Sequence, residues 1–229
     1  MNSTNQYDCL LDIARKRRTI RQFKPDPVPD EYITKIIEVA RWAPSAFHTQ
    51  PWEFVIVKDP DVKNKVVAAL ERHGPPIKDP AKAAVARRSF KDAPVFILLL
   101  CDWRASVGLP GNAGADKARA AGLYASSLAN AFLLMHLAAT SLGLASQWYT
   151  ATSRPDAESA IKKIIGIPGA LTIYDMMVLG YPDAPADTKI IRDVAGMTHY
   201  NRCGVGDFRT DEQVLDYAAK TKAWCLSQH

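Results

Sequence analysis

Cysteine is scarce in this 229-residue sequence, and no two of its four cysteines stand close together. They are Cys9, Cys101, Cys203 and Cys225. This wide spacing argues against a zinc site and against a disulfide framework, so we expect no metal. The polar N-terminus also lacks an apolar export segment, which predicts a cytoplasmic protein. The chain shows no internal repeat, and its length suits one large domain or two small ones.

A strong excess of one charge is also missing. The 29 Lys and Arg residues against 24 Asp and Glu give a net charge of +5, which mildly favours anionic ligands. A nucleic-acid-binding protein usually shows a longer basic stripe or a recognisable module. Residues 120–147 carry no Asp, Glu, Lys or Arg, but several serines, Asn130 and His136 favour a buried helix over a membrane span. We therefore expect neither a nucleic acid nor a membrane as partner.

Hydrophobic periodicity predicts helices interleaved with strands. The predicted helices are residues 8–16, 30 to about 43, 60–71, 81–91, 116–142, 155–164 and 211–224. The predicted strands are residues 53–57, 94–100, 144–150 and 171–179, the last stopped by Gly180-Tyr181-Pro182. Such interleaving favours a central mixed sheet covered by helices. The tail over residues 187–208 has little periodicity, and the helix after it suggests an arm that packs on a partner chain.

A basic run near the N-terminus is the most unusual feature of the sequence. Five of the seven residues in Arg15–Arg21 are Lys or Arg. Neighbouring cations repel by about 1 kcal/mol per pair even in water, so the run needs either full solvation or a bound anion. A solvated surface stretch is one interpretation. A phosphate site is the other, because guanidinium groups match phosphate oxygens and Thr19 adds a hydroxyl.

Three further stretches follow the basic run at characteristic positions. A stiff loop bounded by prolines, Pro44–Trp52, leads into a predicted strand. Gly143-Leu144 and Gln147–Thr150 come at the end of the uncharged helix, and Ile173–Pro182 closes the series. In this order and spacing, the four stretches resemble the nitroreductase family of flavoproteins, over roughly residues 10–204.

This resemblance implies an architecture and a cofactor. It implies an FMN-dependent α+β fold with a central, mostly antiparallel sheet flanked by helices, forming a single domain over residues 1–229. It also implies a domain-swapped homodimer with active sites built across the interface and a tail, about residues 187–229, packed on the partner subunit. NAD(P)H would be the transient hydride donor.

The resemblance further implies a set of cofactor-binding residues. The basic motif would bind the flavin phosphate, ribityl chain and pyrimidine edge through Arg17, Arg18, Thr19 and Arg21. The proline-bounded loop would reach the flavin of the other subunit through Pro44, Ser45, Ala46, His48 and Gln50. The segment after the uncharged helix would lie near the reactive edge of the ring through Trp148, Tyr149 and Thr150. The last phosphate contacts would come from Lys189 and Arg192.

Several of these residues also have purely structural interpretations. Arg18 could form a surface ion pair, Gln50 could satisfy local backbone groups, and the two aromatic residues of the third segment could pack in the core. His48 stands where many family members carry Asn, and a similar Pro-Ser-x-x-His-Thr loop occurs in members resembling iodotyrosine deiodinase. No obvious acid is expected near the ring, and His136 is expected to be a satisfied core residue.

The function implied by the resemblance is that of an FMN-dependent oxidoreductase. A hydride would pass from NAD(P)H through flavin N5 to an electron-poor aromatic acceptor, such as a nitroaromatic or a quinone, with ping-pong kinetics. One alternative is a reductive dehalogenase acting on a substituted phenol. An alternative of a different class is a non-catalytic flavin- or anion-binding protein. We expect no dedicated catalytic side chain, and a lid at residues 71–91 or 105–114.

Overall fold

The computed structural model describes residues 5–73, 90–184 and 188–227. It divides the chain into two units, residues 1–184 and 185–229. The described helices are α1 (Gln6–Lys16), α2 (Asp30–Ala40), α3 (Pro60–His73), α4 (Lys117–Ser141), α5 (Pro155–Ile165) and α6 (Asp211–Ser227). The described strands are β1 (Phe23–Lys24), β2 (Trp52–Val57), β3 (Val95–Asp102), β4 (Ala145–Tyr149) and β5 (Leu171–Pro182).

The sequence predicts all six of these helices to within a few residues. The expected helix over residues 81–91 falls largely outside the described residues, and its last two positions, Phe90 and Lys91, lie in a turn. One of the two predicted lid segments, residues 71–91, also falls largely outside the described residues. The other, residues 105–114, contains short 3-10 turns, and its Leu109 and Ala113 are buried in the core.

Strand β5 is the centre of the sheet. It pairs antiparallel with β1, β3 and β4, and β3 pairs antiparallel with β2. Within the described residues, every strand ladder is therefore antiparallel, and the isolated bridge between Thr19 and Ser146 is parallel. This confirms the α+β fold with a mostly antiparallel sheet, and it corrects the mixed sheet that the interleaved pattern favoured.

The end of β5 also differs from the prediction. The strand does not stop before Gly180 but continues to Pro182, because its last residues pair with β1. Gly180 allows close packing instead of ending the strand: a Cβ atom there would lie 2.7 Å from Pro94 Cδ and 3.1 Å from Phe23 Cδ1. The glycine thus lets the central strand pack closely against the rings of Pro94 and Phe23. The local sequence pattern does not reveal this contact.

Both faces of the sheet are buried, as the continuous apolar run of β3 predicts. Successive side chains of a strand point to opposite faces, so β3 contributes to two separate cores. Val95, Ile97 and Leu99 pack in the core that contains α2 and α4. Phe96, Leu98 and Leu100 pack in the core that contains α3 and α5.

Helix α4 contains most of the uncharged stretch of the sequence, residues 120–147, and runs through the first of these cores. Among the described residues it is the one helix long and apolar enough to cross a membrane by length and composition. Ten of its residues are buried inside the fold, including Tyr124, Phe132 and Met135. The burial fits the expectation of a central core helix.

His136 is the polar residue by which α4 contacts the sheet. It is 1% exposed, and its Nδ1 lies 2.7 Å from Ser146 Oγ on β4. Its Nε2 finds no hydrogen-bond partner among the described residues, so the expectation of a satisfied core histidine is correct for one ring nitrogen only. Burial lowers the pKa of His136 to about 3, with a smaller contribution from the charge of Arg17.

This buried imidazole predicts a specific loss of stability in acid. The folded protein keeps His136 neutral down to about pH 3, whereas the unfolded chain binds the proton near pH 6.5. Stability from this residue is therefore complete above pH 6.5 and falls as the pH decreases toward 3, by at most about 1.4 kcal/mol per pH unit. The wild type should accordingly lose its stability advantage over His136→Asn between pH 6.5 and 4 in urea unfolding.

The variant Ser141→Ala provides the control, because Ser141 is exposed on the same helix and carries no titratable group. Its difference from the wild type should stay constant over the same pH range. An equally constant difference for His136→Asn would show that the imidazole is not kept neutral by burial.

Candidate functional site

The basic motif lies against β4. Thr19 forms a parallel bridge with Ser146, and the Ile20 N–H donates to the Ser146 carbonyl over 3.1 Å. These contacts bring two stretches that are far apart in the sequence, the basic motif and the strand that leads to Trp148–Thr150, next to each other. The sequence analysis selected both stretches but did not identify Ser146 as the residue that joins them.

The arginines of the motif are not simply solvated. Arg17, Arg18 and Arg21 are each half-buried, whereas Thr19 is exposed. Burial lowers the pKa of Arg17, and the neighbouring charge of Arg18 adds to the effect. The Arg18 guanidinium donates to the backbone carbonyls of Arg17, at 3.1 Å, and of Arg15. Partly desolvated guanidinium groups this close together favour an anion among them.

The proline-bounded loop has an unusual backbone. Three non-glycine residues within it adopt a positive φ: Phe47 at 50°, His48 at 57° and Gln50 at 47°. Each such residue costs about 1–3 kcal/mol and persists only where the surroundings impose it. Strain of this kind clusters at binding and catalytic sites, so the loop is a functional candidate on geometric grounds.

Hydrogen bonds hold the strained loop on α4. The Ala46 N–H donates to Ser127 Oγ over 3.0 Å, and Ser127 is only 2% exposed. Within the loop, the Gln50 N–H donates to Ser45 Oγ over 3.1 Å. Ser127 was not among the predicted site residues, and its hydroxyl also donates to the Leu123 carbonyl one turn back over 2.8 Å, so the serine by itself gave no sign of a tertiary contact.

The side chains of the loop are available at the surface. Pro44, His48 and Gln50 are exposed, and Ser45 and Ala46 are half-buried. Gln50 Nε2 lies 2.9 Å from His48 Nε2, which fits an amide N–H donating to a neutral imidazole. The Gln50 side chain thus contacts His48, and the exposed pair can present both donors and acceptors to a ligand.

The third segment is partly a core element. The rings of Trp148 and Tyr149 are half-buried, and Thr150 is exposed. Trp148 stacks on His136 at 5.7 Å with an interplanar angle of 14°, and Tyr149 contacts Phe90 at 4.7 Å. Both rings therefore have the core contacts that the structural interpretation predicts, and both retain some exposed surface.

An acid that the sequence analysis missed lies beside this segment. The Trp148 Nε1–H donates to Asp175 Oδ2 over 2.6 Å, and Asp175 is 7% exposed. Burial raises the pKa of Asp175 to about 6, although the hydrogen bond from Trp148 opposes this shift. The expectation that no obvious acid lies near the flavin ring stays a prediction. The available signal was a single carboxylate inside an otherwise apolar strand.

The loop and the basic motif attach to different points of α4. Ser127 holds the loop, and His136 holds β4 and thereby the motif. At 1.5 Å per residue, these anchors are about 13 Å apart along the helix axis. Within the first unit, one chain therefore attaches the predicted site residues to α4 as two separate groups.

The two predicted residues of the tail belong to the second unit. Lys189 and Arg192 are half-buried there, and the Arg192 guanidinium donates to the Gly196 carbonyl over 2.8 Å. A cavity of about 300 Å³ in this unit is lined by Arg192, Gly196, Met197, His199, Asp207, Phe208, Arg209 and Val214. The phosphate role of Lys189 and Arg192 stays a prediction.

The donors and acceptors around β4 fit a flavin mononucleotide. The half-buried guanidinium groups suit a phosphate, and the rings of Trp148 and Tyr149 suit a flat aromatic system. Gln147, which lies between Ser146 and Trp148 in the sequence, is 8% exposed, and its Oε1 accepts no hydrogen bond from the described residues. A buried acceptor without a partner is costly unless a ligand donates to it, and ribityl hydroxyls and the flavin imide are such donors.

Comparison with known proteins supports the same assignment. A model of the nitroreductase family matches residues 14–181. A Methanothermobacter thermautotrophicus protein provisionally named NADH dehydrogenase/NAD(P)H nitroreductase is 29% identical over 184 residues, which cover 80% of this chain and 83% of that protein. An iodotyrosine deiodinase of Thermotoga neapolitana is 29% identical over 187 residues, which cover 77% of this chain and 90% of that protein.

A solved structure extends the likeness to three dimensions. Oxidized iodotyrosine deiodinase bound to FMN and 3-iodo-L-tyrosine superposes with a TM-score of 0.64 at 26% identity, covering 85% of this chain and all of that one. Since the family model spans well over half of the sequence, the chain belongs to the nitroreductase family and is a flavin oxidoreductase of that family.

Proposed function

We propose that this chain is an FMN-dependent oxidoreductase that uses NAD(P)H to reduce an electron-poor aromatic acceptor such as a nitroaromatic or a quinone. The observation that carries the proposal is the attachment of the basic motif to β4 through Ser146. It brings the motif, whose guanidinium groups suit a phosphate, to the strand that continues into the aromatic segment Trp148–Thr150, and FMN combines a phosphate with a flat ring.

Different residues around β4 would bind different parts of the cofactor. Arg17, Arg18 and Arg21 would hold its phosphate and stabilise negative charge, and Gln147 Oε1 would accept a hydrogen bond from it. The segment Trp148–Thr150 would lie near the reactive edge of the ring. When bound, FMN supplies the redox chemistry, taking a hydride from NAD(P)H and passing two electrons to the acceptor in separate half-reactions.

The complete site would need a second copy of the chain. The strained loop is anchored about 13 Å along α4 from the anchor of the motif, so it is well placed to serve a neighbouring subunit. Next to the loop, α4 exposes an uncharged stripe that includes Gly122, Ser126 and Leu133. Exposed faces without charge favour protein–protein contact, which supports the homodimer with shared sites. The domain swap and the packing of the tail on the partner are part of the same proposal.

The motif assignment predicts a large loss of FMN affinity on substitution. Arg17→Ala and Arg21→Ala should each weaken FMN binding about 10- to 100-fold, because a charge-assisted hydrogen bond contributes roughly 1.5–3 kcal/mol. Quenching of FMN fluorescence by ligand-free protein measures the affinity. Arg15→Ala is the matched control, since Arg15 is an exposed cation in the same run, and it should bind FMN like the wild type. Unchanged affinity in both motif variants would remove the proposed phosphate site.

The dimer proposal predicts that an added charge disrupts the dimer when it is placed on α4 but not when it is placed on α5. Ser126→Arg places a cation in the centre of the uncharged stripe of α4 and should convert the protein to a monomer that binds FMN at least tenfold more weakly. Ser159→Arg is the control, because Ser159 is exposed on the charged helix α5 and should leave the dimer intact. Analytical ultracentrifugation measures the mass. If Ser126→Arg stays dimeric, the stripe is not the interface.

Reductive dehalogenation of a substituted phenol is the second candidate. It is favoured by the exposed His48 of the loop and by the likeness, over 77% of this chain, to a named iodotyrosine deiodinase. A histidine can become charged near neutral pH and then pair with a phenolate, which the asparagine of many family members cannot do.

This candidate makes its own prediction about His48→Asn. If dehalogenation is the function, the variant should release halide from 2-iodophenol at least tenfold more slowly, while its reduction of a nitroaromatic changes little. Anaerobic halide release and nitroaromatic consumption, measured with the same NAD(P)H supply, separate the two activities. A wild-type protein that reduces the nitroaromatic but releases no halide would eliminate the second candidate.

A further inference from the structure

The packing of the core does not require a carboxylate at Asp175. It lies in β5 beside Met176, Met177 and Val178, each of which is fully buried. Among the described residues, no Lys or Arg forms an ion pair with it. Burying an ionised carboxylate without a cation is costly, and a well-packed apolar side chain would serve the core at least as well. A buried acid of this kind is a functional candidate.

Within the described part of the chain, the hydrogen bond shown for the Asp175 side chain comes from the indole of Trp148. The distance of 2.6 Å from Trp148 Nε1 to Asp175 Oδ2 is short even for a charge-assisted bond. The stacking on His136 and the edge contact with Phe132 give the indole N–H no hydrogen-bond partner. The carboxylate therefore selects the ring orientation in which the N–H points into β5.

The oriented indole contacts residues that support the rest of the candidate site. His136, on which Trp148 stacks, contacts Ser146, and Ser146 in turn holds the basic motif through Ile20. On the other side, the chain continues from Trp148 into Tyr149 and Thr150. A rotation of the indole would thus disturb both the segment expected near the flavin ring and the support of the arginines.

We propose that Asp175 is a positioning residue of the flavin site, which orients Trp148 and through it the 148–150 segment for cofactor binding. The proposal rests on the proposed FMN-dependent function. It assigns to Asp175 no proton transfer and no direct contact with the cofactor. Its role depends on accepting the indole hydrogen bond, so an amide that still accepts the bond should replace it and an apolar side chain should not.

Two variants and a matched control separate positioning from simple packing. Asp175→Asn retains an acceptor for the indole and should bind FMN within about threefold of the wild type. Asp175→Leu leaves the indole N–H without a partner and should bind FMN at least tenfold more weakly. Thr172→Val is the control, because Thr172 Oγ1 accepts the Trp103 indole N–H over 2.8 Å elsewhere on β5. It should leave FMN affinity unchanged.

A double-variant cycle tests whether Asp175 acts through Trp148. Trp148→Phe should weaken FMN binding as much as Asp175→Leu, and the double variant should bind no more weakly than either single variant. Additive losses, wild-type affinity in Asp175→Leu, or a loss in Asp175→Asn as large as in Asp175→Leu would each overturn the proposal.

A measurement without FMN keeps this proposal separable from the proposed function. In the nitrogen-15 NMR spectrum of ligand-free protein, the indole signal that Trp148→Phe removes should move strongly in Asp175→Leu and only slightly in Asp175→Asn. A signal that stays in place in Asp175→Leu would refute the orienting contact itself. If the signal moves as expected but the wild type takes up no FMN, then the proposed function fails, and the contact is structural.

Discussion

The arrangement of the site depends on the contacts that Ser146 makes with two other elements. Its carbonyl accepts the Ile20 N–H of the segment after α1, and its hydroxyl contacts the imidazole of His136 on α4. Because Ser146 lies inside the sheet, these bonds fix the position of a segment that would otherwise move away from it. The arginines repel one another, so without such an attachment they would separate into solvent rather than converge.

Helix α4 provides the common support for both groups of site residues. Almost all of its buried surface is apolar, and the two buried polar residues, Ser127 and His136, are where other segments attach. A buried polar group costs stability unless it is hydrogen-bonded, so its presence in an apolar helix marks a specific contact. The spacing of these two residues along the helix sets the distance between the loop and the basic motif.

Features that reduce stability collect around β4 and the loop. They are the left-handed backbone of the loop, the half-satisfied His136, the acceptor of Gln147 and the buried carboxylate of Asp175. Elsewhere the described cores are filled by aliphatic and aromatic side chains, as in β3. Natural proteins tolerate such local violations mainly where function requires them. Their concentration here agrees with the position of the site.

The sequence alone determined the helices, the buried strands and the stretches that carry the chemistry, because periodicity, prolines and charge act over a few residues. It was wrong at Gly180, which serves close packing and not strand termination, and it gave no indication of Asp175 as a site residue. Those outcomes depend on distances between segments that are remote in the chain. Only the tertiary structure could decide that Ser146 joins the arginines to β4, that Ser127 holds the loop, and that a carboxylate meets the indole of Trp148. Such contacts arise from the packing of α4 on the sheet, which no local pattern encodes.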